Sequence, residues 1–291
     1  IPFGRDNYIR PFKWMEKTPI IGEKISDFQL YYTPSSFKTN MSFSEKLSWN
    51  ETRRGVRSDD AYSFGLDRTM NLDYKLTNSL STKYGWTGKS KLNDYRGYIY
   101  SAVKALDPGD VTSITENMNT SFSPTLFSWL RPSFNYSANY RWNDNLSLEG
   151  QDISTGLRFS SNITLTPVQL FEVLYKPPSK KKPKRSAGRR RTSSRAKTPE
   201  KKEEPKKERK ENKPLTFIHG LFGKVNPISL SYSETLNRSA NKILGEVPTG
   251  YKFGWLPNHD LEQSSEVGTN LGNWDHKVDG SIRSGLKVTN N

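Results

Sequence analysis

Polar and apolar residues alternate along this chain over unusually long runs. Phe37, Met41, Phe43, Leu47 and Trp49 share one parity, and Lys38, Asn40, Ser42, Ser44, Lys46 and Ser48 share the other. Successive side chains of a strand point to opposite faces. This stretch is therefore predicted as a strand with one apolar, aromatic face and one face of Ser, Asn and Lys. The run 37–49 is thirteen residues long. A globular strand has about five or six residues, and a tilted strand crossing a bilayer needs about nine to eleven. The pattern points to a transmembrane β-barrel.

The same alternation predicts seven more strands. The second covers 62–76, with Tyr62, Phe64, Leu66, Met70, Leu72, Tyr74 and Leu76 opposite Asp67, Asn71, Asp73 and Lys75. A tight turn at Thr77-Asn78-Ser79 leads to a third strand through Leu80, Tyr84 and Trp86. The fourth covers 113–123 and carries Ile114, Met118 and Phe122. The fifth runs through Phe134, Tyr136, Ala138, Tyr140 and Trp142, after a turn holding Pro124 and Pro132. The sixth has Ile153, Leu157, Phe159, Ile163 and Leu165, the seventh Ile228, Leu230 and Tyr232, and the eighth Val278, Gly280, Ile282, Leu286 and Val288. Connections 50–60, 87–112, 143–151 and 236–275 are long, and 77–79 and 124–131 are short. Long and short alternate, as do the outer loops and inner turns of bacterial barrels.

Composition sharpens this picture. Hydrophobic content is 32% and aromatic content 12% over 291 residues. The first is low for a soluble domain, and the second is too high for simple disorder. A barrel reconciles them, because only one face of each strand must be apolar. No cysteine is present, which excludes disulfide frameworks and thiolate metal sites. The chain starts at Ile1 without Met and stops at Lys287-Val288-Thr289-Asn290-Asn291, which reads as an internal piece of a larger polypeptide.

Charge is concentrated in one place. From Lys176 to Lys213 there are eighteen Lys and Arg against five Glu, a net of +13 out of a total of +15. The run includes Lys180-Lys181-Lys182-Pro183-Lys184-Arg185 and Arg189-Arg190-Arg191. It reads as a solvated, disordered tether with an apolar segment on each side. Nucleic-acid binding or attraction to anionic lipid or glycan are the functional alternatives. It lacks the interleaved aromatics that single-strand binding uses. The alternation of long and short connections puts the tether on the inner, periplasmic side.

The predicted fold class is all-β: an arc of a large antiparallel transmembrane β-barrel with a disordered basic linker. The parts are a connecting segment (1–36), six barrel strands with loops (37–175), the basic linker (176–213), and further barrel strands with a long outer loop (214–291). The candidate site residues are aromatic. Trp49, Tyr62, Tyr84, Trp86, Tyr140 and Trp142 fall toward the strand ends assigned to the outer side, where amphipathic rings suit a lipid interface. A soluble β-sandwich with an ordinary aromatic core is the alternative. Enzyme chemistry is not visible. His219, His259 and His276 lack metal-ligand spacing, no phosphate-cradling glycine motif is present, and Asp59-Asp60 and Glu203-Glu204 read as solvated charges. No catalytic, cofactor or metal residue is assigned.

Several phrases, in their order, resemble the SprA family. They are Asp27-Phe28-Gln29-Leu30-Tyr31-Tyr32-Thr33-Pro34-Ser35-Ser36-Phe37, the hairpin Leu72-Asp73-Tyr74-Lys75-Leu76-Thr77-Asn78-Ser79-Leu80, Ile163-Thr164-Leu165 leading to Leu174-Tyr175-Lys176 ahead of the basic tether, and Ile228-Ser229-Leu230-Ser231-Tyr232-Ser233-Glu234. This family comprises the giant outer-membrane translocon of the type 9 secretion system, tied to gliding motility. The chain is far shorter than such a barrel, and the Lys/Glu half of the tether has no counterpart in the pattern. The resemblance implies a bacterial outer-membrane location and a water-filled lumen through which folded cargo with C-terminal sorting domains passes. It also implies a partner outer-membrane barrel and a periplasmic plug protein; outer-membrane lipid is expected as a further contact, and nucleic acid is not expected as a partner. A TonB-dependent importer or a lipopolysaccharide-assembly pore, a surface β-protein and a basic nucleic-acid binder are the competing readings.

Overall fold

The computed structural model describes residues 7–14, 28–58, 61–95, 98–105, 107–125, 127–144, 149–177, 213–264 and 271–287. Near the start, β1 (Tyr8–Ile9) and β2 (Leu30–Tyr31) form a small antiparallel ribbon. Eight longer strands follow: β3 (Ser36–Ser48), β4 (Ala61–Lys75), β5 (Leu80–Lys91), β6 (Asp110–Phe122), β7 (Leu130–Asp144), β8 (Gln151–Leu165), β9 (Ile228–Ile243) and β10 (Gly272–Arg283). Each pairs antiparallel with its sequence neighbour, so the sheet order is the chain order. The sheet is open, and β3 and β10 are its edges.

Register makes the alternation a property of the whole sheet. Leu66 pairs with Phe43 and Ser90, Tyr84 with Leu72 and Met118, Tyr136 with Thr120 and Phe159, and Leu230 with Ile163 and Ile282. All the apolar parities therefore fall on one face. The opposite face carries the other parity: Lys38, Ser42, Asp67, Asn71, Lys83, Asn117, Asn119, Asn135, Asn139, Ser154, Arg158, Asn162, Ser231, Ser233, Lys277 and Asp279. Directly opposed residues share a face, so one short repeat of two residues generates two surfaces of opposite chemistry.

Several connections are shorter than the sequence predicts. The 87–112 loop shrinks because β5 runs on to Lys91 and β6 begins at Asp110. Between them lie a 3-10 turn (Asn93–Tyr95) and helix α1 (Ile99–Ala105). The 236–275 loop shrinks because β9 continues to Ile243 and β10 begins at Gly272, ahead of its predicted start. Val288 lies outside the described residues. Pro132, expected in a turn, is inside β7. The last β6 partner on β7 is Phe134, so one side of β7 is unpaired at the level of Pro132, which is where a residue without an N–H is tolerated.

The segments flanking the basic tether are helical. They are α2 (Pro167–Leu174) and α3 (Lys213–Lys224), so Lys213 belongs to a helix and not to the tether. A proline at its first position suits the start of α2. Residues 178–212, the bulk of the predicted linker, lie outside the described residues. A short helix α4 (Thr249–Lys252) lies in the β9–β10 connection.

Candidate functional site

The polar face is hollowed. A concavity of about 760 Å³ crosses β7 to β10 and is lined by Arg131, Asn135, Arg158, Asn162, Ser233 and Asp279, among others. Three more, of about 590, 440 and 330 Å³, open along the β3 to β8 side of the sheet. Side chains on this face bond to one another across strands. The Asn139 amide donates to Asn117 at 2.8 Å, Ser36 donates to Asp73 at 2.8 Å, and the Ser81 and Ser121 hydroxyls lie 2.9 Å apart. The face has no large apolar side chain, and its groups are small hydroxyls and amides with scattered Lys, Arg and Asp. Such a surface favours contact with water over contact with apolar groups.

The apolar face has two zones. In the rows nearest the short turns it carries no charged residue: Phe37 and Thr39 on β3, Met70, Leu72 and Tyr74 on β4, Phe122 on β6, Phe134 on β7, Ile163 on β8, Leu230 on β9 and Ile282 on β10; charge returns at mid-strand with Arg68, opposite Met41, and with Glu234, whose Oε1 lies 2.9 Å from His276 Nε2. The half nearer the long connections is covered by the chain itself over β4 and over β7 to β9, while Leu47 on β3 and Trp274 on β10 stay exposed. Leu92 and Ala102 of the β5–β6 connection bury Phe64 and Leu66. Tyr251 of the β9–β10 connection buries Tyr140, Ile153, Ala240 and Ile243, while Phe253 packs on Ala138 and Leu157.

Polar groups pin that second cover. Glu116 sits on the apolar parity of β6 and is 6% exposed. Lys252 Nζ donates to its Oε1 at 2.7 Å, and the Tyr84 hydroxyl donates to its Oε2 at 2.8 Å. Arg238, on the apolar parity of β9, donates to the Leu256 and Pro257 carbonyls and stacks 4.3 Å from the Tyr251 ring. The Tyr136 hydroxyl donates to the Phe253 carbonyl. Four strands therefore hold one connection.

The structure separates the six aromatic candidates. Trp49, just past β3, is half exposed, with the Arg57 guanidinium 4.5 Å from its ring. Tyr62 packs on the Phe64–Leu66 cluster. Trp86 has Arg68 at 5.8 Å. Tyr84, Tyr140 and Trp142 come together around the 244–264 connection: Tyr84 meets Phe253 edge-on, Tyr140 has Lys252 4.9 Å from its ring, and Trp142 donates through Nε1 to Gln151 at 2.8 Å. Tyr140 is 2% exposed. Its ring meets the covering connection and not an outer medium, a correction to the outward-facing expectation. Tyr84 and Trp86 also lie in mid-strand, away from the strand ends.

Glu116, Arg238 and Lys252 were not among the expected residues. The signal for two of them was in the sequence: a charge at the apolar parity between Ile114 and Met118, and another between Leu236 and Ala240. Among the described residues no group of three His, Asp or Glu side chains is placed to hold a metal ion, and no helix is long and apolar enough to cross a membrane. No protein-family model matches the chain, and no curated protein sequence matches it.

Proposed function

We propose that this sheet is an arc of a large outer-membrane β-barrel and that its polar face lines a channel for protein export. The carrying observation is the opposition of the two faces across eight consecutive strands. One is polar and hollowed. The other is apolar in the rows nearest the short turns, carries Arg68 and Glu234 at mid-strand, and is capped in part by the long connections. Strands of twelve to sixteen residues reach about 40–50 Å when extended, or roughly 28–40 Å along the membrane normal at a barrel's tilt, enough to cross the ~25 Å apolar band of a bacterial barrel. The rows nearest the short turns then lie in the bilayer, and the covered zone rises to its outer surface and beyond. The two long, singly paired edge strands fit continuation of the barrel, since an exposed edge of that length is an aggregation hazard in a soluble protein. Export, as opposed to uptake, rests on the resemblance to the SprA family. In that reading cargo with C-terminal sorting domains crosses the lumen, and a partner barrel and a plug protein gate it.

The test is depletion of the full-length protein in its host, followed by proteomics of medium, periplasm and outer membrane. Proteins with C-terminal sorting domains should accumulate in the periplasm while other barrels persist. Unchanged export with lost nutrient uptake or lipopolysaccharide display would assign the barrel to import or lipid assembly instead.

A further inference from the structure

Helices α2 and α3 leave the sheet at the end of the short turns, where β8 stops and β9 begins. They pack on each other through one set of residues. The Phe171 and Phe222 rings stack at 5.4 Å, the Tyr175 and Thr216 hydroxyls lie 3.1 Å apart, and His219 Nε2 lies 3.2 Å from Glu172 Oε1. A second set is left outside. On α2, Leu170, Val173 and Leu174 stand at positions i, i+3 and i+4, one stripe of a helix. Leu174 is 84% exposed. On α3, Phe217 and Leu221 stand at i and i+4 and are 68% and 49% exposed. A Cβ added at Gly220 or Gly223 would meet nothing, so that side of α3 is also open. A helix pair with large apolar stripes facing outward is a docking surface.

We infer that α2 and α3 lie in the headgroup region of an anionic phospholipid leaflet and anchor the inner rim of the sheet there. Three observations select lipid as the occupant. The stripes are aliphatic and aromatic and are bordered by cations: Lys176 follows α2, and Lys213 and Lys224 end α3. The sequence from Lys176 to Lys213 carries a net +13, which favours a negative surface and disfavours another basic one. Chain order places the helices just after Leu165 and just before Ile228, at the end of the sheet where its apolar face carries no charge. Amphipathic helices with basic flanks bind interfaces in this way, through apolar burial and attraction to anionic headgroups. The inference rests on the membrane reading for its geometry.

The experiment places a photo-reactive benzoylphenylalanine, one site at a time, in the full-length protein in host cells. The probe sites are Leu221 and Val173, one on each helix, so failure of one variant to fold leaves the other. Leu230, on the apolar face of β9 near its start, reports spanning, and Ser160, on the polar face, reports the lumen. Adducts are read by mass spectrometry. Probes at 221 and 173 should give several-fold more phospholipid adduct than the probe at 160, with the anionic share above that of the bulk membrane. Lipid at 230 with protein or no adduct at 221 and 173 would overturn the inference and leave the spanning sheet standing. Lipid at 221 with none at 230 would keep the helical anchor and overturn the spanning reading. Lipid adducts that match the bulk headgroup composition would overturn the anionic preference.

Discussion

A carboxylate on the apolar parity of a strand needs partners, and Glu116 has Lys252 and Tyr84. Replacing Lys252 with Met leaves a buried carboxylate with one neutral donor. That should destabilise the cover by about 3 kcal/mol, the lower end for a broken buried pair because the Lys252 side chain keeps some exposure. The double variant Glu116→Gln with Lys252→Met should lose less than the single one, because it removes the uncompensated charge. Protease cleavage of the 244–264 connection as urea rises measures both. Gly254 makes a second demand. It has φ +77°, and a Cβ there would run into Leu157 and the Tyr136 hydroxyl. Gly254→Ala should therefore loosen the same connection by about 1–3 kcal/mol in the same assay. In the other cover, the Gly109 N–H and then the Tyr95 hydroxyl bond Asp107 and hold its carboxyl below the ordinary range. A carboxylate depressed in the folded state stabilises above its unfolded pKa near 3.9, and that contribution goes as pH falls through the folded value. Cleavage within 92–109 should therefore rise below about pH 4 in the wild-type chain, and Asp107→Asn should lose this dependence.

At the level of elements, alternation carried the information. The middles of β3 to β8 were legible because one face stays largely apolar and the other stays Ser, Asn and Lys over many residues, whereas only the first half of β9 and the second half of β10 were read as strand. The strand ends near the long connections were not legible. Gly88 and Ser90 hold apolar-parity positions at the end of β5, where the Trp86 ring lies over Gly88 and Arg68 donates to Ser90 at 2.8 Å. Arg238 interrupts the pattern on β9 because the covering connection supplies carbonyls for it. Where the chain covers its own sheet, the face no longer needs to be uniformly apolar and the period-two signal fades. The same logic explains the unforeseen polar site, since its residues are the exceptions to the pattern. The helices were hidden in short apolar runs that length alone cannot assign. Two adjacent residues of β8 test the element-level claim. In the proposed barrel, Ile163→Arg places a charge among the apolar rows nearest the short turns and should cost about 1–2 kcal/mol of assembly, whereas Asn162→Arg faces the hollow side and should be tolerated. Heat-modifiable mobility in outer-membrane fractions reads the difference.

For the whole molecule, the long and short connections define two opposite ends. In the proposed orientation, cysteines introduced into this cysteine-free chain should report opposite compartments. Arg54→Cys, in the β3–β4 connection, should react with an impermeant maleimide on intact cells. Ser186→Cys, in the basic tether, should react only after the outer membrane is permeabilised. Labelling of both in intact cells would reverse or abolish the assigned orientation. The net charge of the chain belongs to this second end, so the pI near 9.7 describes the tether more than the sheet.

β8 and β9 pair from Gln151 opposite Ile243 to Leu165 opposite Ile228, with the only irregularity at the far end. The hairpin therefore closes as if the 166–227 connection were a turn. In polymer terms the insertion is inexpensive, because closure entropy grows only with the logarithm of length. A substitute of about eight residues would stabilise the hairpin by only about 2 kcal/mol through this term. The connection can thus be lengthened, exchanged or excised without renegotiating the register of the sheet, which makes this position a natural graft point where a new appendage can be acquired while the strands around it stay as they are.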